Sequence, residues 1–287
     1  MRKFKEFIIE KLIAICGVAS IFFVILIFLF LLKEGLALFK IITPSQFIFG
    51  KNWYPISEPA QLGILPLILG SLIVTIGAAI ISIPIGVGCA IYIAEVAPGR
   101  IKEILKAGIE LLAAIPSVVL GFIGMVTLVP LVKNIFHIPT GLTALSGSIM
   151  LAFMAMPTIV SIAEDALYSV PKSYKEGAFA LGATHWQTIW RVMLPAASSG
   201  IVAAVMLGIG RVIGETMAVM MITGNSAIIP QSILQPVRTL TATIAAEMGE
   251  TVVGSEHYFA LFAIGIVLFV ISFVINVGAD LAIHKRK

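Results

Sequence analysis

Long runs of apolar residues separated by short polar segments make up most of this 287-residue sequence. A helix needs roughly 20 consecutive apolar residues to cross the hydrocarbon core of a bilayer. Six runs reach about that length, so the pattern predicts an all-α polytopic membrane protein with six transmembrane helices. We place these helices at residues 12–32, 64–94, 109–132, 141–163, 198–222 and 259–283.

The first apolar run follows a basic stretch, as the hydrophobic region of a signal peptide does. It is 21 residues long, whereas the apolar region of a signal peptide has about 7–15 residues and precedes a small-residue cleavage site. This run ends instead at Lys33-Glu34-Gly35. We therefore expect an uncleaved first helix.

The polar segments divide the chain further. Residues 1–63 hold the first helix and an aromatic, proline-containing loop, which is typical of a membrane interface. Residues 64–287 then form the core domain. Within this core we call residues 164–197 the cytoplasmic segment, and residues 223–258 form a second long polar connection.

Composition supports the membrane assignment, because only 12% of the residues are charged and 59% are hydrophobic. A soluble domain has about 25% charged residues. The basic residues cluster at the ends of the apolar runs instead of forming a stripe, so we expect membrane lipid and no nucleic acid as a partner.

The distribution of basic residues predicts the orientation. Thirteen of the 19 Lys and Arg residues lie on the side of both termini, five lie on the opposite side, and Arg211 lies inside a span. Loops rich in Lys and Arg stay in the cytoplasm. We therefore expect a multi-pass protein of the inner or plasma membrane with both termini cytoplasmic.

Few residues indicate metal or redox chemistry. Cys16 and Cys89 both fall inside apolar runs, and we interpret them as small buried hydrophobic side chains. His137, His185 and His284 lack nearby carboxylate or cysteine partners in the sequence. We predict no metal site and no cofactor.

The sequence contains no nucleotide-binding loop of the form G-x-x-x-x-G-K-[ST]. Gly50-Lys51 is followed by Asn52 and falls on the predicted outer side. If this protein drives active transport with ATP, another chain must bind the nucleotide.

The cytoplasmic segment predicts two short helices joined at a glycine. Ser173 and Glu176 have the spacing of a capping box for the first helix, and Gly182 permits a left-handed stop. Thr184 can cap a second helix, which Pro195 ends. The second helix has an apolar face with helical spacing, formed by Trp186, Ile189, Trp190 and Met193.

The pattern Glu-x-Ala-x-x-x-Gly, followed by this aromatic and aliphatic run and a closing Leu-Pro, resembles the coupling loop of ABC importer permeases. The family pattern has Ala where this chain has Gly177, a change that weakens the helix slightly. The alternative is an ordinary amphipathic loop on the membrane surface. The resemblance assigns contact with an ATPase to Glu176, Gly177, Ala178, Gly182, Leu194 and Pro195.

Two charged residues interrupt the fifth apolar run, Arg211 and Glu215. An arginine near the bilayer centre costs about 2.5–3.5 kcal/mol and normally faces a cavity or a partner. The two residues have the spacing of a helical ion pair, so one interpretation is a structural pair between spans. The other is that the guanidinium donates to a tetrahedral oxyanion, with Glu215 orienting it. Gly208, Gly210 and Gly214 would let a helix or substrate approach closely.

The motif Arg-x-x-Gly-Glu-Thr-Met-Ala-Val at 211–219 is similar to the permeases of the high-affinity phosphate importer. Residues 224–225, 247–250 and 255–258 also fit that family. The Phe-Gly-x-x-Trp-x-Pro motif at 49–55 resembles the PstC-type subunit more than its PstA-type partner. The resemblance covers nearly the whole chain.

This resemblance implies a type I ABC importer permease that carries inorganic phosphate and performs no catalysis itself. It implies three partners: a PstA-type permease, an ATPase dimer on the cytoplasmic side, and an external phosphate-binding protein. In the family the arginine and glutamate of the fifth-span motif are associated with phosphate passage. They correspond to Arg211 and Glu215 here, and Thr216 follows them in the same motif.

Other interpretations stay open at this point. Arginine geometry does not distinguish phosphate from sulfate, and an Arg211–Glu215 pair would also suit a proton relay in a secondary transporter. A membrane signalling or scaffold protein is a third possibility. In the loop at 223–258, residues 244–246 predict a short surface or re-entrant helix, which belongs either to a docking surface for the binding protein or to a solvated loop.

Overall fold

The computed structural model describes residues 2–284 and consists almost entirely of helices. A two-stranded antiparallel hairpin, β1 (Trp53–Tyr54) and β2 (Gln61–Leu62), is its one sheet within these residues. The helices are α1 (Arg2–Ala37), α2 (Pro44–Phe49), α3 (Leu65–Ile91), α4 (Gly99–Ala114), α5 (Ser117–Phe136), α6 (Ala144–Tyr168), α7 (Lys172–Ala180), α8 (His185–Thr188), α9 (Leu194–Ala196), α10 (Ser198–Gly214), α11 (Met217–Ile222), α12 (Leu240–Glu247) and α13 (Glu256–His284).

Within residues 2–284, five helical stretches are long and apolar enough to cross a membrane: Ile9–Lys40, Leu65–Val96, Ser117–Phe136, Ala144–Tyr168 and Glu256–Gly278. A sixth arises if His185–Ala196 and Ser198–Gly214, which meet at 71°, are counted as one bent span. The prediction of an all-α polytopic protein is confirmed. Of the basic residues used to predict the orientation, Lys285, Arg286 and Lys287 lie outside the described residues.

Helix α6 lies at the centre of the bundle and packs against α3, α4, α5, α10 and α11. Small side chains on both sides allow the helices to approach closely. A Cβ atom added to Gly77 would lie 2.4 Å from Ser148 Oγ, and that hydroxyl lies 2.8 Å from the carbonyl oxygen of Ala144. Gly208 packs as closely against Ile159. This part of the core therefore depends on small residues.

The predicted interface loop is folded into the protein. Thr43 and Gln46 form a capping box that starts α2, and the hairpin β1–β2 follows. Trp53 and Phe47 are buried and belong to the same apolar cluster as Leu240 of α12. These two aromatic side chains therefore pack inside the protein, and the placement of the loop at a membrane interface stays a prediction.

The third span begins later than predicted. Residues 109–114 belong to α4, which ends at the cap residue Ile115, and α5 begins at Ser117. Pro116 disfavours helical geometry at the residue before it, and Ile115 has an extended backbone with ψ of 127°. An apolar composition alone does not reveal this break.

Glu164 was placed in the cytoplasmic segment by the sequence pattern, and the structure corrects this. It lies in α6 with 2% exposure, and its carboxylate oxygens lie 2.9 Å from Lys102 Nζ and 2.8 Å from Lys106 Nζ of α4. The hydrogen bond to Glu164 raises the pKa of Lys106 above its ordinary value. One buried carboxylate therefore fastens α4 to the central helix.

The two cysteines are exposed on the isolated chain, so the expectation that they are buried is wrong. Cys16 and Cys89 face outward from the bundle. Lipid is as apolar as a protein core, so an apolar run does not indicate which side chains face inward.

We predict that Glu164→Gln lowers the thermal unfolding temperature of the detergent-solubilised protein. Removing one partner of a buried ion pair costs roughly 3–5 kcal/mol, and the partial exposure of the two lysines places this case at the lower end. The measurement is the fraction of monodisperse protein that remains after heating.

Asp165→Asn is the matched control for this prediction. Asp165 lies 3.7 Å from the same Lys106, but its side chain is 69% exposed, and exposed ion pairs contribute about 0–1 kcal/mol. Equal unfolding temperatures for the two variants would contradict the assigned role of Glu164.

Candidate functional site

The fifth apolar run is broken where the sequence predicts one continuous helix over 198–222. Helix α10 ends at Gly214, Glu215 has an extended backbone with φ −71° and ψ 133°, and α11 begins at Met217. Of the three predicted path residues, Arg211 therefore lies in the last turn of α10, whereas Glu215 and Thr216 lie between α10 and α11.

Arg211 lies in the last turn of α10 and is exposed on the isolated chain. The negative end of the helix dipole stabilises a cation at this position. Its Nη1 atom donates to Thr158 Oγ1 of α6 at 3.5 Å, while a guanidinium has five N–H donors in a planar fork. Within the described part of the chain, the other donors have no protein acceptor.

Glu215 does not pair with Arg211, so the helical ion pair, which was one of the two interpretations of these charges, is not formed. The backbone leaves the helix after Gly214, which removes the four-residue geometry on which the pair depended. Instead, Glu215 Oε1 accepts a hydrogen bond from the backbone N–H of Ala218 at 3.2 Å. A carboxylate is favourable at a helix N-terminus, so Glu215 stabilises the start of α11.

Thr216 is the second residue between α10 and α11. It occupies the cap position of α11, but its hydroxyl donates to the carbonyl oxygen of Gly214 at 3.2 Å instead of capping the helix. The three glycines differ in their surroundings. Gly208 contacts α6, whereas Gly210 and Gly214 have no atoms within 4 Å of an added Cβ. The open face of α10 therefore combines glycines with Arg211.

The cytoplasmic segment forms the two predicted helices, with one difference at the start. Pro171, not a capping box of Ser173 and Glu176, precedes α7, and no side chain caps it. Gly182 adopts φ +80° as expected. Thr184 forms a capping box with Gln187 at the start of α8.

The predicted apolar face of the second helix divides into two groups. Ile189 and Met193 are buried, whereas Trp186 and Trp190 are exposed. The two tryptophans line an apolar groove together with Leu194 and the C-terminal half of α3. The helix continues through Pro195 to Ala196 and then turns by 71° into α10, so Pro195 does not end it.

Most residues with a predicted coupling role lie on the surface. Glu176, Gly177 and Gly182 are exposed on the isolated chain, whereas Ala178 is buried against the rest of the protein. Leu181, between them, is 90% exposed. This surface can contact another protein while its buried side holds it in place.

An ion pair that the sequence did not reveal attaches α7 to the bundle. Lys175 Nζ pairs with Glu95 Oε2, and the Glu95 side chain is 6% exposed. Glu95 lies in a π-helical turn, Tyr92–Val96, that extends the end of α3. The two residues are 80 positions apart, so no local pattern could indicate the pair.

A second such cluster surrounds Glu247 at the end of α12. Its carboxylate pairs with Arg238, lies 2.8 Å from His257 Nε2, and accepts a hydrogen bond from the Trp53 indole at 3.1 Å. The expected short helix near residues 244–246 is present as α12, and its first four residues are buried. It is an integral part of the fold.

Solved structures of two ABC importers have this fold. The chain matches a bacterial alginate ABC transporter, solved in complex with an alginate pentasaccharide-bound periplasmic protein, with a TM-score of 0.66 and 16% identity over 93% of this chain and 92% of that one. It matches the inward-facing MetNI methionine ABC transporter with a TM-score of 0.64 and 20% identity over 81% of this chain and 100% of that one. The architecture is the type I ABC importer permease fold.

Curated proteins are more similar in sequence. The probable ABC transporter permease protein YqgH of Bacillus subtilis is 42% identical over 267 residues, which cover 92% of this chain and 86% of that protein. The phosphate transport system permease protein PstC of Haemophilus influenzae is 36% identical and covers 85% of this chain and 82% of its own length. PstC of Mesorhizobium japonicum is also 36% identical, over 80% of this chain and 75% of its own length.

A family model extends over most of the chain as well. It describes the binding-protein-dependent transport system inner membrane components and matches residues 82–286, which include the broken span and the cytoplasmic segment. On this match and these relatives, the chain belongs to the family of binding-protein-dependent transport system inner membrane components.

Proposed function

We propose that this chain is the PstC-type permease subunit of an ATP-driven inorganic phosphate importer. The observation that carries the proposal is the Arg211 guanidinium, which lies at the end of a broken membrane helix with one protein acceptor, Thr158 Oγ1 at 3.5 Å, in the described chain. The relatives named as phosphate transport permeases support the same substrate.

The geometry suits transient contact with an oxyanion. A planar guanidinium donates two parallel hydrogen bonds to phosphate oxygens, and the open glycines Gly210 and Gly214 leave space beside it. The adjacent Glu215 carboxylate would repel an anion, but it is engaged with the N-terminus of α11. Arg211 therefore attracts the substrate, while Glu215 and Thr216 shape the break.

The cytoplasmic segment connects a partner to this site. An ATPase that contacts Glu176, Gly177 and Gly182 would displace α7, and the Lys175–Glu95 pair would pass the displacement to α3. The chain also continues directly through Leu194 and Pro195 into α10, which carries Arg211. Two physical connections therefore lead from the coupling surface to the path.

The proposed assembly contains a second, PstA-type permease, an ATPase dimer and an external phosphate-binding protein. ATP hydrolysis belongs to the ATPase, since this sequence has no nucleotide-binding loop. We place both termini and the cytoplasmic segment inside the cell. A proton relay through Arg211 and Glu215 has less support, because these side chains are not paired.

We predict that the reconstituted complex takes up phosphate only with ATP inside, stops with vanadate and continues with an uncoupler. Radiolabelled phosphate uptake into proteoliposomes measures this, with sulfate as the competitor. Uptake that stops with an uncoupler alone would support a secondary transporter, and equal competition by sulfate would contradict the assigned substrate.

Arg211→Ala should lower phosphate uptake about tenfold or more, since a hydrogen bond to a charged group contributes about 1.5–3 kcal/mol and 1.4 kcal/mol corresponds to a factor of ten. Arg211→Lys keeps the charge but loses the planar fork, so it should recover uptake only in part. Co-purification of the other subunits is the control. Loss of assembly in Arg211→Ala would indicate a structural role instead.

Gly182→Val should uncouple ATP hydrolysis from uptake, because a branched side chain at φ +80° costs about 1–2 kcal/mol or more in the left-handed region. No atom lies within 4 Å of an added Cβ there, so the strain is in the backbone. The measurement is phosphate transported per ATP hydrolysed.

Gly254→Val is the matched control for this variant. Gly254 has φ +84° and equally open surroundings. It lies between α12 and α13, in the polar connection at 223–258, which we place on the opposite side of the membrane from the cytoplasmic segment. We expect its transport ratio to stay at the wild-type value. An equal loss in both variants would contradict a coupling role for Gly182.

A further inference from the structure

Helix α12 begins beside the break in the fifth span. Thr239 caps it by accepting a hydrogen bond from the backbone N–H of Ala242, and the backbone N–H of Leu240 donates to Ser71 Oγ of α3 at 2.9 Å. One of these hydrogen bonds therefore lies within the first turn of α12, and the other connects this turn to α3.

The next hydroxyl along this helix reaches the break. Thr241 Oγ1 donates to the backbone carbonyl oxygen of Glu215 at 2.8 Å. It also lies 3.1 Å from Thr239 Oγ1. A hydroxyl has one proton and two acceptor lone pairs, so Thr241 gives its proton to Glu215 and accepts the proton of Thr239.

The Glu215 carbonyl needs such a partner because of its backbone geometry. With ψ at 133°, Glu215 lies outside both α10 and α11. Glu215 is partly buried and Thr241 is 8% exposed, and a backbone carbonyl with little access to water requires a hydrogen-bond donor. Ser71, Thr75, Thr239 and Thr241 line a small cavity at this point together with Glu215.

The other end of α12 is attached to the outer part of the fold. Glu247, its last residue, contacts Arg238, His257 and the Trp53 indole of the hairpin. Thr241 and Glu247 are six residues apart, or about 9 Å along a helix axis. One short helix therefore connects the outer hairpin to the break.

We propose that Thr241 is a positioning residue for the substrate path: through the Glu215 carbonyl it fixes the end of α10 and so the place of the Arg211 guanidinium. This inference rests on the proposed phosphate path. In this proposal the polar connection at 223–258 sets the geometry of the path through one hydroxyl group, that of Thr241.

The test compares three variants in the complete complex. T241V removes the hydroxyl at nearly constant shape, and T241S keeps it. T243V is the matched control, since Thr243 is also buried but donates to the backbone carbonyl of Thr239, which caps the same helix. We expect T241V to lower the maximal rate of phosphate uptake about tenfold with little change in KM for the loaded binding protein. T241S and T243V should remain near the wild type.

A second measurement does not depend on the substrate. Gly214→Cys, in a background with Cys16→Ser and Cys89→Ser, places one thiol at the break, where an added Cβ has no neighbour within 4 Å. We expect T241V to change the labelling rate of this thiol by a water-soluble thiosulfonate, and T243V to leave it unchanged. If wild-type complex does not transport phosphate, the proposed function fails, while this labelling still tests the position of the break.

Wild-type uptake and labelling in T241V would overturn the proposal. Equal losses in T241V, T241S and T243V would also overturn it, because they would indicate general disruption of α12. If T241V does not assemble, T241A replaces it in both measurements. Failure of T241A to assemble as well would overturn the positioning role in favour of a purely structural one.

Discussion

The rest of the site depends on one constraint, the satisfaction of backbone polar groups where a membrane helix is interrupted. Irregular backbone at membrane depth is tolerated only where the protein or a cavity provides partners. At Glu215 the side chain accepts from the start of α11 and the carbonyl accepts from Thr241. These hydrogen bonds allow α10 to end at Gly214, and that ending leaves the Arg211 guanidinium on an open face.

Both ends of the molecule are connected to this break by short, directly bonded routes. On one side, α12 extends from the Glu247 cluster to Thr241. On the opposite side, the cytoplasmic segment turns by 71° into α10 and is attached to α3 by the Lys175–Glu95 pair. Such an arrangement suits a permease of this family, in which separate proteins on the two sides of the membrane must act on one path.

Two predictions from local pattern succeeded because their physical cause was also local. The left-handed glycine at 182 and the helix cap at Thr184 need only residues three or four positions away, and both are confirmed. Two other predictions failed because they required knowledge of distant partners, whereas the capping box expected at Ser173 and Glu176 failed although its cause is local. Glu164 was placed in a loop although two lysines of α4 hold it inside α6, and one interpretation paired Glu215 with Arg211 although a hydroxyl 26 positions away holds its backbone elsewhere.

The sequence by itself determined the helical membrane class, the approximate spans and the family, because apolar length and short motifs are properties of consecutive residues. Only the tertiary structure decided where the fifth span breaks, which glycines face open space, and which carboxylates are paired. Lipid and protein core are equally apolar, so composition does not distinguish an inward face from an outward one. Ion pairs and hydrogen bonds between distant residues exist only after the helices have packed.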